Sequence, residues 1–281
     1  MPNRVSSSLM RRVLTALVLA PLALALVFLA PKWLVTVVAA AISMLAGWEF
    51  LGLAEKCGAK PPRLAVLAAV VALFAGNYQW PDQTVVLFCG LCLSLLACCT
   101  FRKPVEHVLV DACSSVFALC YVGLTLLSIP ILREQSNGPS LVVFLLFAVW
   151  AGDIVALYVG RMWGRSKLAP EISPNKTWAG AIGSVFGSLL VTGGLYWLSA
   201  ELAKLNFTKF SMADEVWWYW LIMAVLLNVA SQVGDLAESA LKRSAGVKDS
   251  GNLLPGHGGM LDRIDALLLA APVLWYAQSI R

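Results

Sequence analysis

NVASQVGDLAESALKRSAGVKDSGNLLPGHGGMLDRID, residues 228–265, gathers Asp235, Glu238, Lys242, Arg243, Lys248, Asp249, Asp262, Arg263 and Asp265 into one short interval of a sparsely charged chain. Both flanks are apolar runs long enough to cross a bilayer. Carboxylates and cations concentrated against a membrane point to a functional site rather than a solvated face. The spacing agrees. Asn228, Ser231, Gln232, Asp235, Glu238, Ser239 and Lys242 recur at intervals of three and four, so a helix carries them as one polar stripe. The run before them, VWWYWLIMAVLL (216–227), is apolar throughout.

Outward from this stretch, the composition is that of an integral membrane protein. The 281 residues are 59% hydrophobic and 13% charged, with mean hydropathy +0.78; soluble domains carry about 25% charged residues. Apolar runs of helical length, rather than ten-residue alternating strands, predict helices and exclude a barrel. The expected fold is all-α and polytopic, with about nine transmembrane helices: Val13–Leu29, Trp33–Leu53, Leu64–Trp80, Thr84–Thr100, Val108–Ile131, Leu141–Met162, Thr177–Leu198, Val216–Ala237 and Leu261–Ser279. With nine spans, Lys32, Arg133, Lys204, Lys209 and Arg281 fall on one side and the other sixteen of the 21 Lys and Arg on the opposite side. The positive-inside rule then puts the N-terminus in the cytoplasm and the C-terminus outside. The net charge of +5 matters less than this distribution.

That topology brings two connections to the cytoplasmic face. In the later one, a Gly-Asn turn and Leu-Pro lead to His257-Gly258-Gly259, directly before a helix whose first turns hold Asp262 and Asp265. Glycines let backbone N–H groups approach an anion, and a helix start favours phosphate. Two carboxylate groups on facing helices, with a basic loop between, have the composition of a metal–phosphate site. Asp262 and Asp265 lie roughly 2–6 Å into the span, at headgroup depth. The earlier connection, within Trp150–Gly180, holds Asp153, spaced glycines and Ser173-Pro174-Asn175-Lys176-Thr177, whose hydroxyl, amide and ammonium groups suit phosphate. Plainer readings stand beside these. Asp262, Arg263 and Asp265 also fit a structural ion-pair cluster, His257 a loop cap, Asp153 a structural hydrogen bond, and residues 173–177 an ordinary helix start. Gly160-xxx-Gly164 and Gly183-xxx-Gly187 fit close helix packing.

The pattern S-A-L-K-R-x4-K-D-x-G-x2-L-P-x-H-G-G-x2-D-R-x-D, Ser239 to Asp265, resembles the signature of the phosphatidate cytidylyltransferase (CDP-diacylglycerol synthase) family. Residues 150–180 resemble it too, with two departures: Ile154 stands where Ser or Thr is expected, and Ala179 where Glu is. The resemblance implies transfer of a cytidylyl group from CTP to phosphatidate, with Asp235, Lys248, Asp249, Asp262, Arg263 and Asp265 as the catalytic set. Ser173, Asn175, Lys176, Thr177, Ser239, Lys242, Arg243, His257, Gly258, Gly259 and Asp153 are the expected substrate contacts. Asp235, Asp262 and Asp265 are the expected Mg2+ ligands, and a second, monovalent cation is left open. The implied partners are CTP, phosphatidate and the lipid bilayer, with no nucleic acid. The implied place is a bacterial cytoplasmic (inner) membrane, with the site facing the cytoplasm.

Residues 1–135 are expected to pack, and to make contacts between copies if a homodimer forms, while 136–281 are expected to hold the chemistry. Trp48-Glu49-Phe50 reads as interface anchoring. Cys89 and Cys92 have CxxC spacing inside an apolar run and read as small core residues. A cation-coupled transporter would also use interior carboxylates, but it predicts a symmetric pair of broken helices, whereas the polar residues here sit in one half. A transferase that consumes CDP-diacylglycerol would need a paired Asp-Gly-x2-Ala-Arg motif, which the chain lacks.

Overall fold

The computed structural model describes residues 20–102, 105–213, 215–251 and 258–280. His257 lies outside the described residues, as do Arg4, Arg11, Arg12, Lys103 and Arg281. Helices follow the apolar runs: α1 Ala20–Leu29, α2 Lys32–Lys56, α3 Arg63–Gln79, α4 Thr84–Thr100, α5 Val108–Ala118, α6 Thr125–Arg133, α7 Gly138–Trp163, α8 Trp178–Lys204, α9 Trp217–Ser244 and α10 Leu261–Ser279. A π-helical turn, Leu119–Leu124, joins α5 to α6, and Ser43 of α2 donates to the Val122 carbonyl within it at 3.0 Å. An external donor of this kind suits a widened turn, whose carbonyls are displaced from the regular ladder.

Among the described residues, six helical segments are long and apolar enough to cross a membrane: Lys32–Lys56, Pro81–Thr100, Val105–Arg133, Gly138–Trp163, Trp178–Lys204 and Trp217–Ser244. Of the other three expected spans, Val13–Leu29 is described only over Ala20–Leu29, its residues 13–19 lying outside the described residues, Arg63–Gln79 is apolar but shorter, and α10 carries Asp262, Arg263 and Asp265 in its first turns. The protein is a helical membrane protein.

Two hydrophobic cores share α10. Phe144, Trp220, Leu227 and Leu274 belong to one, built by α7, α9 and α10. Phe50, Leu73, Leu119 and Leu268 belong to the other, built by α2, α3, the π turn and α10. Helix α10 thus locks the N-terminal helices to the C-terminal ones. Helices α7 and α8 touch through glycine: a Cβ at Gly187 would come within 2.8 Å of the Ala151 carbonyl, and one at Gly183 within 2.8 Å of Val159. This is close packing of the kind small residues permit in lipid.

Among the described residues one element, a hairpin, is not helical. Strands β1 Lys167–Ala169 and β2 Ser173–Thr177 pair antiparallel, Lys167 opposite Thr177 and Ala169 opposite Ser173. Thr177 ends the strand and also starts α8, its side chain accepting from the Gly180 N–H at 3.1 Å. The helix start expected at 173–177 is therefore the second arm of a short hairpin with the cap at its last residue. All seven cysteines are free.

Candidate active site

A cavity of about 630 Å³ opens between α7, α8, α9 and the hairpin. Five of the expected site residues line it: Asp153, Asn175, Lys176, Thr177 and Asp235. Lys176 reaches across from β2 and pairs with Asp235 on α9, Nζ to Oδ2 2.7 Å. Arg161, Lys167 and Gln232 also line the cavity; the sequence reading gives the two cations only a topological role. Beside Gln232, the polar stripe of α9 is anchored in the bundle. Asn228, fully buried, donates to Ser184 at 2.9 Å and Ser188 at 2.7 Å, and accepts from Gln232 at 2.6 Å. Each of these side chains has a partner, as buried polar groups require, and the bonds tie α9 to α8 along one wall of the cavity.

The second cluster sits where α9 meets α10. Lys242 Nζ bonds Asp262 Oδ1 at 2.6 Å and is in ion-pair contact with Glu238 one turn back. Glu238 is fully buried, and the Lys242 ammonium is the cation in contact with its carboxylate. Asp262 Oδ2 accepts from the Gly259 N–H at 2.8 Å and the Ser250 N–H at 3.1 Å, and the Ser250 hydroxyl, whose single proton it shares with Glu49, lies 3.0 Å away. Both oxygens of Asp262 are thus engaged by protein donors. The ion-pair reading of Asp262 describes this arrangement. The Gly259 N–H, expected to face phosphate, instead faces a carboxylate of the chain, and Gly258, at φ +79°, supplies the turn that brings it there.

The other expected residues are spread around these clusters. Asp265 accepts from the Ala266 N–H at 2.8 Å, and its backbone passes α9 so closely that a Cβ at Gly234 would come within 2.6 Å of its carbonyl oxygen. Asp153, Asp235 and Asp265, from three helices, lie within electrostatic reach of one another. Ser239 on α9 and Ser173 in β2 are half-buried. Arg243 is exposed and bonds main chain, the Val247 carbonyl at 2.9 Å and that of Ile172 at 3.4 Å. Lys248, Asp249 and Arg263 are exposed, and none of the three lines the cavity. Among the described residues no three His, Cys, Asp or Glu side chains converge into a ready-made cation shell.

Glu49 is the residue the sequence reading passes over. It lies on α2, 4% exposed, and accepts from the Met260 N–H at 2.9 Å, the Leu261 N–H at 2.8 Å and the Ser250 hydroxyl at 2.9 Å. Its one local signal is a carboxylate inside an apolar run, which in a membrane needs a partner.

Comparison with known proteins adds the family. The model of the cytidylyltransferase family matches residues 10–280. The chain belongs to the cytidylyltransferase family. Among its relatives, a phosphatidate cytidylyltransferase of Thermotoga maritima is 35% identical over 266 residues, 93% of each chain. One of Mycobacterium leprae is 32% identical, over 75% of this chain and 70% of its own. One of Brucella melitensis is 48% identical over 158 residues, 56% of this chain and 54% of its own. The chain spans about half the length of the Brucella relatives it matches.

For a cytidylyltransferase-family chain, the two clusters offer different chemistry. The cavity presents three cations, Arg161, Lys167 and Lys176, beside the carboxylates of Asp153 and Asp235, a mixture suited to polyanions and to oxygen-liganded metal. In the α9–α10 cluster both oxygens of Asp262 are taken up by donors of the chain, which suits a scaffold. The family match runs through Glu49 as well as through both C-terminal clusters.

Proposed function

We propose that this cytidylyltransferase-family protein transfers a cytidylyl group from CTP to phosphatidate, giving CDP-diacylglycerol and pyrophosphate. The observation that carries this reading is the cavity in which Lys176 pairs with Asp235 while Arg161 and Lys167 stand nearby. Two anions must meet for this reaction, and a cationic cavity between membrane helices lets them. The names of the relatives, phosphatidate cytidylyltransferases, support phosphatidate as the acceptor of the cytidylyl group.

In this mechanism an oxygen of the lipid phosphate attacks the α-phosphorus of CTP in line, and the bond to the β-phosphate oxygen breaks to release pyrophosphate. A phosphate monoester, with second pKa about 6, is already largely dianionic near neutral pH, so no general base is needed. Catalysis rests on positioning and charge. Lys176, Arg161 and Lys167 hold phosphate oxygens and stabilise the charge growing on the leaving group. Asp153 and Asp235, which line the cavity, would hold Mg2+ together with phosphate oxygens, as one or two carboxylates usually do, and the ion would supply charge neutralisation between the two anions. Their oxygen donors fit that ion by class, and Asp262, bonded by Lys242, Ser250 and Gly259, supports them from α10. The active site faces the cytoplasm of a bacterial inner membrane, with nine spans and the N-terminus inside, and the N-terminal helices serve a homodimer.

The test is CTP-dependent conversion of phosphatidate by the purified protein in mixed micelles, with and without Mg2+. The expected result is CDP-diacylglycerol and pyrophosphate in equal amounts, formed only with Mg2+. Absence of product with CTP, phosphatidate and Mg2+ all present overturns the reading.

A further inference from the structure

Glu49 is 201 to 212 residues from its donors in the C-terminal clusters, yet it is built into them. Its three donors belong to the first turn of α10 and to the loop that follows α9. Ser250 Oγ stands between two carboxylates, 2.9 Å from Glu49 and 3.0 Å from Asp262. Two glycines make room for the contact: a Cβ at Gly259 would fall 2.3 Å from one Glu49 oxygen, and one at Gly251 2.6 Å from the other. Glu49 thus caps α10 from a different helix. The start of α10 has unpaired N–H groups and a partial positive charge, which a carboxylate satisfies. Whatever moves Glu49 moves the turn that carries Asp262 and, one turn on, Asp265.

We propose that Glu49 is a positioning residue for the cytidylyl-transfer site, its carboxylate clamping Ser250, Met260 and Leu261 so that Asp262 and Asp265 are held against α9. This rests on the function proposed above. It gives the N-terminal helices a part in the site beyond packing. The donor pattern also requires a carboxylate. Glu49→Gln keeps the shape but turns one acceptor into a donor, which must face the Leu261 N–H or the Met260 N–H.

The experiment compares the full-length wild type with Glu49→Gln, Glu49→Asp and, as control, Glu55→Gln, on the same helix and paired with Arg63 at 2.6 Å. Two readouts are taken: kcat and KM for CTP with phosphatidate, and amide hydrogen exchange across residues 258–263. For Glu49→Gln, kcat should fall at least about tenfold, toward the order of 100-fold that an ångström of misplacement costs. KM for CTP should stay within about threefold, and exchange should rise at 258–263 but not along α9. Glu49→Asp, which keeps the charge, should recover part of both, and Glu55→Gln should match wild type. Faster exchange with unchanged kcat would make Glu49 a structural cap only and overturn the proposal, as would unchanged exchange. If Glu49→Gln does not insert, Ser250→Ala, which removes the hydroxyl between the carboxylates, should show the same pair of changes in weaker form; wild-type behaviour there also overturns it. A wild type that makes no CDP-diacylglycerol sinks the function instead, while exchange in Glu49→Gln still reads the clamp by itself.

Discussion

Lys176 Nζ lies 2.7 Å from Asp235 Oδ2, tying the hairpin to α9 across the mouth of a cavity. Both side chains are partly exposed, at 24% and 36%. A pair this solvated contributes at most about 1 kcal/mol to stability. Its value therefore lies in what it places in the cavity. Asp235→Asn is expected to insert normally and melt near the wild-type temperature while retaining less than about a tenth of wild-type turnover. Thermal unfolding in detergent, read beside the CTP assay, separates the two effects. Wild-type turnover in a stable protein would remove Asp235 from the chemistry.

The Lys242–Asp262 pair should behave in the opposite way. Its side chains are 11% and 8% exposed, and Lys242 is also the compensating charge for Glu238. Removing one partner of a buried pair leaves an uncompensated charge and costs about 3–5 kcal/mol. Lys242→Ala is expected to lower the unfolding midpoint sharply, and more than Lys176→Ala does. Equal midpoints for the two variants would contradict the burial argument.

The cations differ by position as well. Arg161, Lys167 and Lys176 line the cavity, and Lys248 does not. A charge-assisted hydrogen bond to phosphate contributes about 1.5–3 kcal/mol, roughly 10- to 150-fold in kcat/KM. Lys167→Ala should lose that much for CTP, and Lys248→Ala markedly less. The reverse order, in parallel steady-state assays, would move the phosphates out of the cavity and toward the loop after α9.

Two glycines on one helix give a packing test. In α8, a Cβ at Gly187 meets the Ala151 carbonyl at 2.8 Å and Val155 at 2.7 Å, whereas Gly193 has nothing within 4 Å. Gly187→Ala must push α7 and α8 apart and should destabilise by about 1–3 kcal/mol. Gly193→Ala should be neutral or stabilise by about 0.5–1 kcal/mol through its better helix propensity. Unfolding midpoints of the two variants decide it.

Orientation can be read by labelling. In a background without the seven native cysteines, a cysteine at exposed position 248 should resist a membrane-impermeant maleimide added outside intact cells, and one at exposed position 204 should react. The opposite pattern would invert the topology.

The positions of the helices were legible in the sequence, because a segment in lipid must satisfy its backbone internally and be apolar over its length. So was the polar face of α9, since Asn228, Ser231, Glu238 and Lys242 lie on one stripe by spacing alone and all four are buried. Periodicity specifies a face but not what it meets. That Lys242 would be shared between Glu238 and Asp262, that Lys176 would cross to Asp235, and that Gly259 would give its N–H to Asp262 follow from the packing of α9 against α10 and the hairpin. Glu49 shows the limit most sharply. Its donors are 201 to 212 residues away, and nothing local to Trp48-Glu49-Phe50 encodes them. Only the burial of α2 against α10 in a common core turns an isolated carboxylate into the cap of a distant helix, because a charge removed from water must take whatever donors the fold brings within reach.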